Sequence, residues 1–199
     1  MNDDISIRFV KQSDTTELLQ LYTPYILHTA LTPESKVPFI AEFEARIRQI
    51  ICFYPYLVCI YNKKIAGFAH AGQYRHASGH QWSVETSIYL AQGVQGKGIA
   101  HRLYNSLLPI LKLQDFINVY AGIILPNERS IAFHQKFNFT EVGIFKNGIN
   151  KSGKWHDVQW MQLALKDHVT DPPLPKSIQS IMNTNSLREI MDQANQIKE

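Results

Sequence analysis

Residues 82–111 hold three consecutive segments: Trp82-Ser-Val-Glu-Thr-Ser-Ile-Tyr-Leu90, then Ala91-Gln-Gly-Val-Gln-Gly-Lys-Gly98, then Ile99-Ala-His-Arg-Leu-Tyr-Asn-Ser-Leu-Leu-Pro-Ile-Leu111. Their patterns predict a strand, a glycine-bearing turn and a helix with one apolar stripe. Glycines at such a junction let backbone N–H groups approach a ligand, and a helix start adds unpaired donors and a positive dipole end. We therefore expect a phosphate cradle at this junction.

The spacing of the glycines differs from two common phosphate-binding motifs. A Walker A loop requires Gly-x-x-x-x-Gly-Lys followed by Ser or Thr, and a dinucleotide fingerprint requires Gly-x-Gly-x-x-Gly. This chain has Gln95-x-x-Gly98-x-Ala100 instead. A lone Gly-x-Gly is compatible with a plain turn, but the preceding strand, Gln95 and the following helix favour a ligand site.

The motif Gln95-x-x-Gly98-x-Ala100 between a strand and a helix resembles the acetyl-CoA pyrophosphate loop of the GNAT N-acetyltransferases. Further segments are similar to the phosphinothricin and methionine sulfoximine N-acetyltransferase branch of that family, over about residues 5–165. They are Tyr54-Pro-Tyr-Leu-Val58, Ala66-Gly-Phe-Ala-His-Ala-Gly72, Trp82-Ser-Val-Glu-Thr-Ser-Ile-Tyr89, Leu125-Pro-Asn127 and Trp155-His-Asp-Val158. The resemblance implies transfer of an acetyl group from acetyl-CoA to the amino group of a small amino acid or analogue, directly within a ternary complex.

The resemblance also implies which residues contact acetyl-CoA. Backbone N–H groups of Gly96, Gly98 and Ala100 are expected to face the pyrophosphate, with charge added by Lys97. The full set of expected contacts is Ile88, Tyr89, Leu90, Gln95, Gly96, Lys97, Gly98, Ala100, His101, Asn127 and Ser130. A helix-capping role alone would also explain Asn127.

Glu85 is the candidate general base. An alkyl amine with a pKa of about 9 to 10 is mostly protonated at neutral pH, so a group must accept its proton before attack. A carboxylate inside an otherwise apolar strand is costly unless it is hydrated or paired. The alternative is a strand-edge residue facing solvent, because strand alternation alone does not fix the face. The matching Glu is the proposed base in the enzymes that the chain resembles.

Two residues are candidates for assisting departure of the CoA thiolate. The family pattern Asn-x-x-Ala-x-x-Phe-Tyr matches a stretch beginning at Asn127, in which His134 occupies the position of Tyr. A histidine donates a proton near neutral pH more readily than a tyrosine does. Tyr104 matches another residue that lines the site in the resembling enzymes. A surface position for His134 and a core position for Tyr104 are the alternatives.

The acceptor side is implied by fewer residues. Arg75 is suited to clamp a carboxylate or phosphinate with two hydrogen bonds, and Tyr74 precedes it in the same loop. Trp155 and His156 match the branch and are expected to line the amine pocket, although an aromatic packing corner explains them equally well. Residues 31–34 lack the aromatic side chain expected in the substrate roof, which leaves acceptance of phosphinothricin itself open.

The order of apolar patterns predicts an α/β chain with the GNAT fold, a mixed sheet of about seven strands with flanking helices. We expect strands near 5–10, 57–61, 65–72, 82–90, 116–125, 139–146 and 155–165, with a loop over 147–153. Helices are expected after Asp14, near Pro38, from Ile99 and over 128–137. Pro24 is expected to bend or divide the first of these helices. Residues 1–166 would form the acetyltransferase domain.

Residues 167–199 would form a separate tail. Asp171-Pro-Pro-Leu-Pro175 predicts a stiff spacer. Ser186-Leu-Arg-Glu189 resembles a capping box, and Leu187, Ile190, Met191, Ala194 and Ile197 form a helical apolar stripe. The stripe must pack on its own domain or on a second subunit, and we expect a homodimer.

Composition excludes several other classes. The chain has 199 residues, 45% of them hydrophobic, and a net charge of +3 without a concentrated basic stripe, so it gives no support for nucleic-acid binding. Residues 1–4 lack the features of a signal peptide and no apolar run reaches membrane-spanning length, so we expect a cytoplasmic protein without membrane contact. The eight scattered histidines imply no metal site. Cys52 and Cys59 are expected to be buried free thiols.

Three other functions remain open at this point. A GNAT enzyme that acetylates a protein N-terminus or lysine would need an open groove in place of a roofed pocket. A sensor that binds acyl-CoA without turnover would keep the phosphate cradle. A structural module whose tail helix recruits a partner would need no cofactor at all.

Overall fold

A computed structural model describes residues 5–196 of the chain, which leaves the initial residues 1–4 and Ile197 of the predicted stripe outside the description. The strands are β1 (Ile5–Phe9), β2 (Tyr56–Tyr61), β3 (Lys64–Gln73), β4 (Ser83–Leu90), β5 (Asn118–Ile124), β6 (Thr140–Lys151) and β7 (Lys154–Ala164). The helices are α1 (Thr15–His28), α2 (Ile40–Ile51), α3 (Ile99–Leu113), α4 (Glu128–Lys136), α5 (Ile178–Ile181) and α6 (Asn185–Gln196). This confirms the predicted mixed α/β architecture.

Across residues 5–196, the strands form one seven-stranded sheet in the order β1-β2-β3-β4-β5-β7-β6. Neighbouring strands are antiparallel except β4 and β5, which are parallel and are connected through α3. The β4–β5 ladder pairs only residues 83–85 with residues 118–120. Because both strands continue well beyond these pairs, they separate from each other after Glu85 and open a cleft in the middle of the sheet.

The sheet carries a hydrophobic core on each face. On one face, α3 and α6 pack on the sheet through a cluster that includes Leu103, Leu107 and Leu187. On the other face, α1 and α2 pack through a cluster that includes Leu18, Phe43 and Phe68. Successive residues of a strand point to opposite faces, so each residue of β4 belongs to one side or the other. Val84 and Thr86 point to the α3 side, and Tyr89 packs in the α1 and α2 cluster.

The tail packs on the same molecule. Leu187 and Ala194 are buried in the core that α3 shares with the sheet, together with Ile178 and Ile181 of the preceding turn. The side chain of Asn195 accepts a hydrogen bond from the Ile7 N–H at 2.7 Å and donates one to the Ile7 carbonyl at 3.1 Å. These contacts settle where the apolar stripe lies among the described residues.

Four local expectations need correction. Pro24 lies inside α1 without dividing it, because the buried residues Leu21, Tyr22 and Ile26 hold the helix by packing. Strand β6 runs on through the predicted loop to Lys151, and only Ser152 and Gly153, both at positive φ, form the turn into β7. The next two corrections concern one helix cap and one cysteine.

The N–H of Leu187 donates to Oγ1 of Thr184 at 3.3 Å, so the residue that caps α6 is Thr184 and not Ser186. Cys52 is exposed at the end of α2, whereas Cys59 is buried as predicted, and burial raises the pKa of the Cys59 thiol to about 12. Both cysteines are free thiols.

Candidate active site

The cleft between β4 and β5 opens into a cavity of about 790 Å³. Residues 86–90 of β4 line one side of it, and residues 121–124 of β5 line the other. Helices α1 and α2 and their connection, residues 29–39, close it from above; this connection is called the roof below. A cavity of this size is typical of sites for small molecules and cofactor arms.

The predicted phosphate cradle has the expected backbone geometry. Gly98 is the N-cap residue of α3 with φ 69° and ψ −2°, a left-handed conformation that favours glycine. It provides no side-chain cap, so the first N–H groups of α3 keep no side-chain partner at that position. Gly96 also has a positive φ of 79°. Gln95 and Ala100 line the cavity, which places the turn at its edge.

The remaining cradle residues lie just beside this edge. Gly96, Lys97, Gly98 and His101 are not among the residues that line the cavity. The Lys97 ammonium lies 5.7 Å from the centre of the Tyr61 ring. The ring of His101 is exposed and packs against Phe133 and Phe137 of α4. The side chains of Lys97 and His101 are therefore partly engaged with neighbouring rings.

The end of β4 forms a wall of the cavity. Ile88, Tyr89 and Leu90 all line it. The Leu90 carbonyl accepts a hydrogen bond from the Tyr25 hydroxyl at 2.6 Å, and the Leu90 N–H lies 3.3 Å from the same oxygen. Tyr25 thereby fixes the strand end against α1. The backbone N–H and carbonyl of Leu90 are therefore both within hydrogen-bond distance of the Tyr25 hydroxyl.

On the opposite wall, Asn127 and Ser130 line the cavity at the start of α4. The Oδ1 atom of Asn127 accepts a hydrogen bond from the Ser130 N–H at 3.2 Å, so Asn127 caps α4 as predicted. Capping and cavity contact are thus compatible in one residue.

Glu85 lies at the point where β4 and β5 separate, and it lines the cavity. Burial raises the pKa of its carboxyl group above the ordinary value. No hydrogen bond or ion pair to this carboxylate is present among residues 5–196. A carboxylate with a raised pKa in a cavity is suited to accept a proton from a substrate. Glu85 is therefore a cavity residue on an internal strand and not a solvent-facing residue at a sheet edge.

His134 and Tyr104 are joined in one buried hydrogen-bond chain. The His134 Nδ1 atom lies 2.7 Å from the Ser130 carbonyl oxygen, which only accepts, so Nδ1 carries the proton. The Nε2 atom lies 3.0 Å from the Tyr104 hydroxyl, which lies 3.0 Å from Oγ1 of Thr86. Burial lowers the pKa of His134 and raises that of Tyr104, so both are neutral near pH 7. His134 lines the cavity, whereas Tyr104 is fully buried behind it.

The predicted acceptor-side residues lie outside the cavity lining. Tyr74 stacks on Tyr120 with 4.3 Å between ring centres, and the Arg75 guanidinium lies 5.1 Å from the centre of the Tyr74 ring. Trp155 is 59% exposed, and His156 contacts the Leu125 carbonyl through Nδ1 at 3.4 Å. None of the four predicted residues lines the cavity. Tyr74 nevertheless lies near Glu85, because its stacking partner Tyr120 pairs with Glu85 in the β4–β5 ladder.

The roof contains polar groups that sequence patterns did not reveal. Both carboxylate oxygens of Glu34 lie 2.9 Å from Nη1 of Arg46, and the Tyr22 hydroxyl contacts Glu34 and Thr32. Lys151, at the end of β6, is 4% exposed and donates to the carbonyl oxygens of Thr32 at 2.8 Å and Tyr25 at 3.4 Å. This lysine connects the tip of the β6–β7 hairpin to the roof.

His70 on β3 is a further cavity residue that the sequence patterns did not single out. Its ring stacks on Tyr56 with 4.8 Å between ring centres. Burial lowers the pKa of His70 to about 4. Residues 66–72 resemble the family, but that resemblance assigned no role to His70. The pairing of β3 with β4 explains why His70 lies in the site.

Two absences complete the description. Within residues 5–196, no group of three or more His, Cys, Asp or Glu residues is arranged to hold a metal ion. None of the helices in that range has the length and apolar character needed to cross a membrane.

Comparison with known proteins agrees with this geometry. Residues 7–160 match the model of the acetyltransferase (GNAT) domain. The chain is 31% identical over 173 residues to the phosphinothricin N-acetyltransferase of Streptomyces coelicolor, covering 81% of this chain and 97% of that protein. It is 31% identical over 168 residues to the L-methionine sulfoximine/L-methionine sulfone acetyltransferase of Salmonella typhimurium, covering 82% and 96%.

A solved structure gives the same result. The phosphinothricin acetyltransferase of Sinorhizobium meliloti in complex with acetyl-CoA has a TM-score of 0.81 and 29% identity, covering 87% of this chain and 94% of that one. The chain therefore belongs to the GNAT acetyltransferase family and is an N-acetyltransferase enzyme. Its similarity to the phosphinothricin and methionine sulfoximine acetyltransferases confirms the predicted branch.

Proposed function

We propose that the protein transfers an acetyl group from acetyl-CoA to the primary amino group of a small amino acid or analogue. The observation that carries this proposal is the separation of β4 from β5 directly after Glu85. The separation places a carboxylate at the head of a cavity whose far edge is the glycine turn. Relatives that act on methionine sulfoximine and phosphinothricin support the substrate class.

The residues present fit acetyl-CoA. Gly98 leaves the start of α3 without a side-chain cap, and the turn has no side chain at Gly96, so N–H groups there are available to a pyrophosphate. The walls formed by Ile88–Leu90 and Asn127–Ser130 would hold the pantetheine arm. When bound, acetyl-CoA supplies the acetyl group as a thioester. A related structure that contains acetyl-CoA supports this assignment.

Glu85 would accept the proton that the acceptor ammonium loses before attack. Its raised pKa brings its proton affinity closer to that of the amine than an exposed carboxylate would have. A water molecule between Glu85 and the amine would serve equally well. The transfer is direct, since no covalent acyl-enzyme is needed when both substrates meet in one cavity.

His134 would stabilise the departing thiolate, with Tyr104 as a positioning residue. The Tyr104 hydroxyl contacts Nε2, and the Nδ1–H donates to the Ser130 carbonyl at the cavity wall. The Nδ1–H would therefore have to turn from this carbonyl toward the sulfur to stabilise the developing negative charge. Arg75 and Tyr74, in the loop after β3, and Trp155 and His156, at the start of β7, would recognise the part of the acceptor that extends beyond the cavity lining.

The experiment that tests the function measures thiol release from acetyl-CoA in the presence of single amines. The panel contains L-methionine sulfone, L-methionine sulfoximine, phosphinothricin, the common amino acids, and peptides with a free N-terminus or a lysine. Mass spectrometry identifies the acetylated product. We expect release with one or more small amino acids. Release with peptides alone would contradict the small-substrate proposal, and coenzyme A binding without any release would contradict turnover.

We also propose that the protein is a cytoplasmic homodimer. Strand β6 is an edge of the sheet, and its exposed side chains include Val142, Ile144 and Phe145, with Trp155 of β7 beside them. An apolar sheet edge is a template for association with another chain. Light scattering should give twice the monomer mass, and Phe145→Asp should shift the protein to a monomer. A monomeric wild-type protein at micromolar concentration would contradict the dimer.

A further inference from the structure

The pairing of β3 with β4 leaves a gap on the cavity side of the sheet. Glu85 is directly opposite Gly72, and Ser87 is directly opposite His70. Residues that are directly opposite in an antiparallel pair point to the same face. The four positions therefore form a square in which the two large side chains, His70 and Glu85, occupy one diagonal. The other diagonal holds a glycine and a serine.

The space over Gly72 is open. A Cβ atom added at Gly72 would meet no atom within 4 Å, so packing does not require a glycine there. Diagonal neighbours on a strand pair are about 7 Å apart at Cβ, and two side chains that reach toward each other bring their polar atoms closer. The open space over Gly72 is where a substrate nitrogen would make hydrogen bonds of about 2.9 Å to both groups.

His70 carries a hydrogen-bond acceptor on the same face of the sheet as Glu85. Its Nδ1 atom lies 3.4 Å from the Ala71 carbonyl oxygen, which only accepts, so the ring proton is on Nδ1 and the lone pair is on Nε2. Stacking on Tyr56 and the parallel Phe68 ring fixes the plane of the imidazole. The lowered pKa, about 4, keeps the ring neutral at physiological pH.

We propose that His70 is a substrate-binding residue that works with Glu85 to hold the primary ammonium group of the acceptor in the gap over Gly72. His70 accepts one N–H at Nε2, while Glu85 accepts the proton that is transferred. Transfer of that proton to Glu85 leaves the nitrogen lone pair, which attacks the carbonyl carbon of the thioester as the carbon–sulfur bond breaks and the CoA thiolate departs. This inference rests on the proposed function and adds the group that His70 recognises.

The test compares wild-type protein with His70→Phe, which keeps the stacked ring and removes the acceptor. The acceptor is the amine that gives the fastest thiol release. We expect kcat/KM for this amine to fall about ten- to hundredfold, since one hydrogen bond to a charged group is lost. The dissociation constant for coenzyme A should stay within twofold of the wild-type value.

Three further variants separate this role from a structural one. His70→Gln restores an acceptor atom and should recover part of the lost kcat/KM. Gly72→Val fills the open space and should raise the KM of the amine without changing coenzyme A binding. His168→Phe changes a histidine outside the cavity, hydrogen-bonded to Asn118, and should leave both constants unchanged.

The outcomes are distinct. If His70→Phe and Gly72→Val both retain wild-type kcat/KM, the inference is overturned while the proposed function stands. If His70→Phe does not fold, Gly72→Val decides the question by its KM. If the wild-type protein acetylates no amine, the proposed function itself falls and His70 loses this role with it.

Discussion

The Tyr104 hydroxyl lies 3.0 Å from Nε2 of His134, and the two side chains come from different helices on either side of the cleft. Together with the hydrogen bond from Nδ1 to the Ser130 carbonyl, this contact holds the imidazole ring of His134 at both nitrogens. Tyr104 is fully buried and His134 lines the cavity, so their hydrogen bond holds a cavity side chain against the packed core.

Replacing Tyr104 with Phe tests this contact. The ring still fills the core, but Nε2 loses its hydrogen-bond partner, so the Nδ1 contact with the Ser130 carbonyl is left to orient the imidazole. We expect kcat to fall about tenfold, the loss of roughly 1.4 kcal/mol of transition-state stabilisation, with coenzyme A affinity unchanged. Steady-state kinetics and calorimetric titration measure the two quantities. An unchanged kcat would remove Tyr104 from the proposed mechanism.

The role of Glu85 is tested by the pH dependence of kcat/KM. Its pKa is raised above the ordinary carboxyl value, and only the ionised form accepts a proton, so activity should fall as pH falls through that raised pKa. In Glu85→Gln this acidic limb should disappear and kcat should drop at least about a hundredfold, the range of general base catalysis. A wild-type rate in Glu85→Gln would show that another group accepts the proton.

Gly98→Ala tests the phosphate cradle. A side chain at φ 69° costs about 1 kcal/mol, and its Cβ stands where the pyrophosphate is expected to approach. We expect the dissociation constant for coenzyme A to rise about tenfold or more. Gly93→Ala is the matched control, because Gly93 also has a positive φ, 81°, with open space around it. Equal loss of affinity in both variants would mean that backbone strain and not the cradle explains the effect.

The buried histidines predict how stability depends on pH. The pKa values of His70 and His134 are both lowered in the folded protein, to about 4 for His70, against an ordinary value of 6.5. The unfolded chain therefore binds protons first as pH falls below about 6.5, and the free energy of unfolding should decrease toward pH 4. Urea unfolding at several pH values measures this. His70→Phe should flatten the decrease, and an unchanged slope would contradict the burial of a neutral imidazole.

The sequence predicted the centre of the site better than its outer parts. Glu85, the glycine turn and Asn127 belong to local patterns of strand, turn and helix cap, so their positions follow from short-range rules. Arg75 was proposed for its hydrogen-bonding chemistry and Trp155 for its match to the family, and neither argument contains its position relative to the cavity. Arg75 lies in the loop after β3 and Trp155 at the start of β7, and these positions are set by tertiary contacts that no local pattern contains.

His70 and Lys151 show what local patterns miss. His70 lies in the site because it pairs with Ser87 on another strand. This strand register cannot be read from a local sequence pattern. Local patterns predicted a loop at Lys151. Its hydrogen-bond partners, Thr32 in the roof and Tyr25 in α1, lie 119 and 126 residues away in the sequence, so local patterns do not reveal them. The extension of β6 past Asn147 depends on its pairing with β7, which the turn-like sequence 147–153 concealed.

Both acceptors of the Lys151 ammonium are main-chain carbonyl oxygens, at Thr32 and Tyr25. Every amino acid carries such an oxygen, so replacing the side chains of the α1–α2 connection leaves the fastening of the hairpin intact. Substrate preference can therefore change by mutation along that connection over evolutionary time while the enclosure above the acceptor stays in place. In this contact, Lys151 is the residue whose side chain is required.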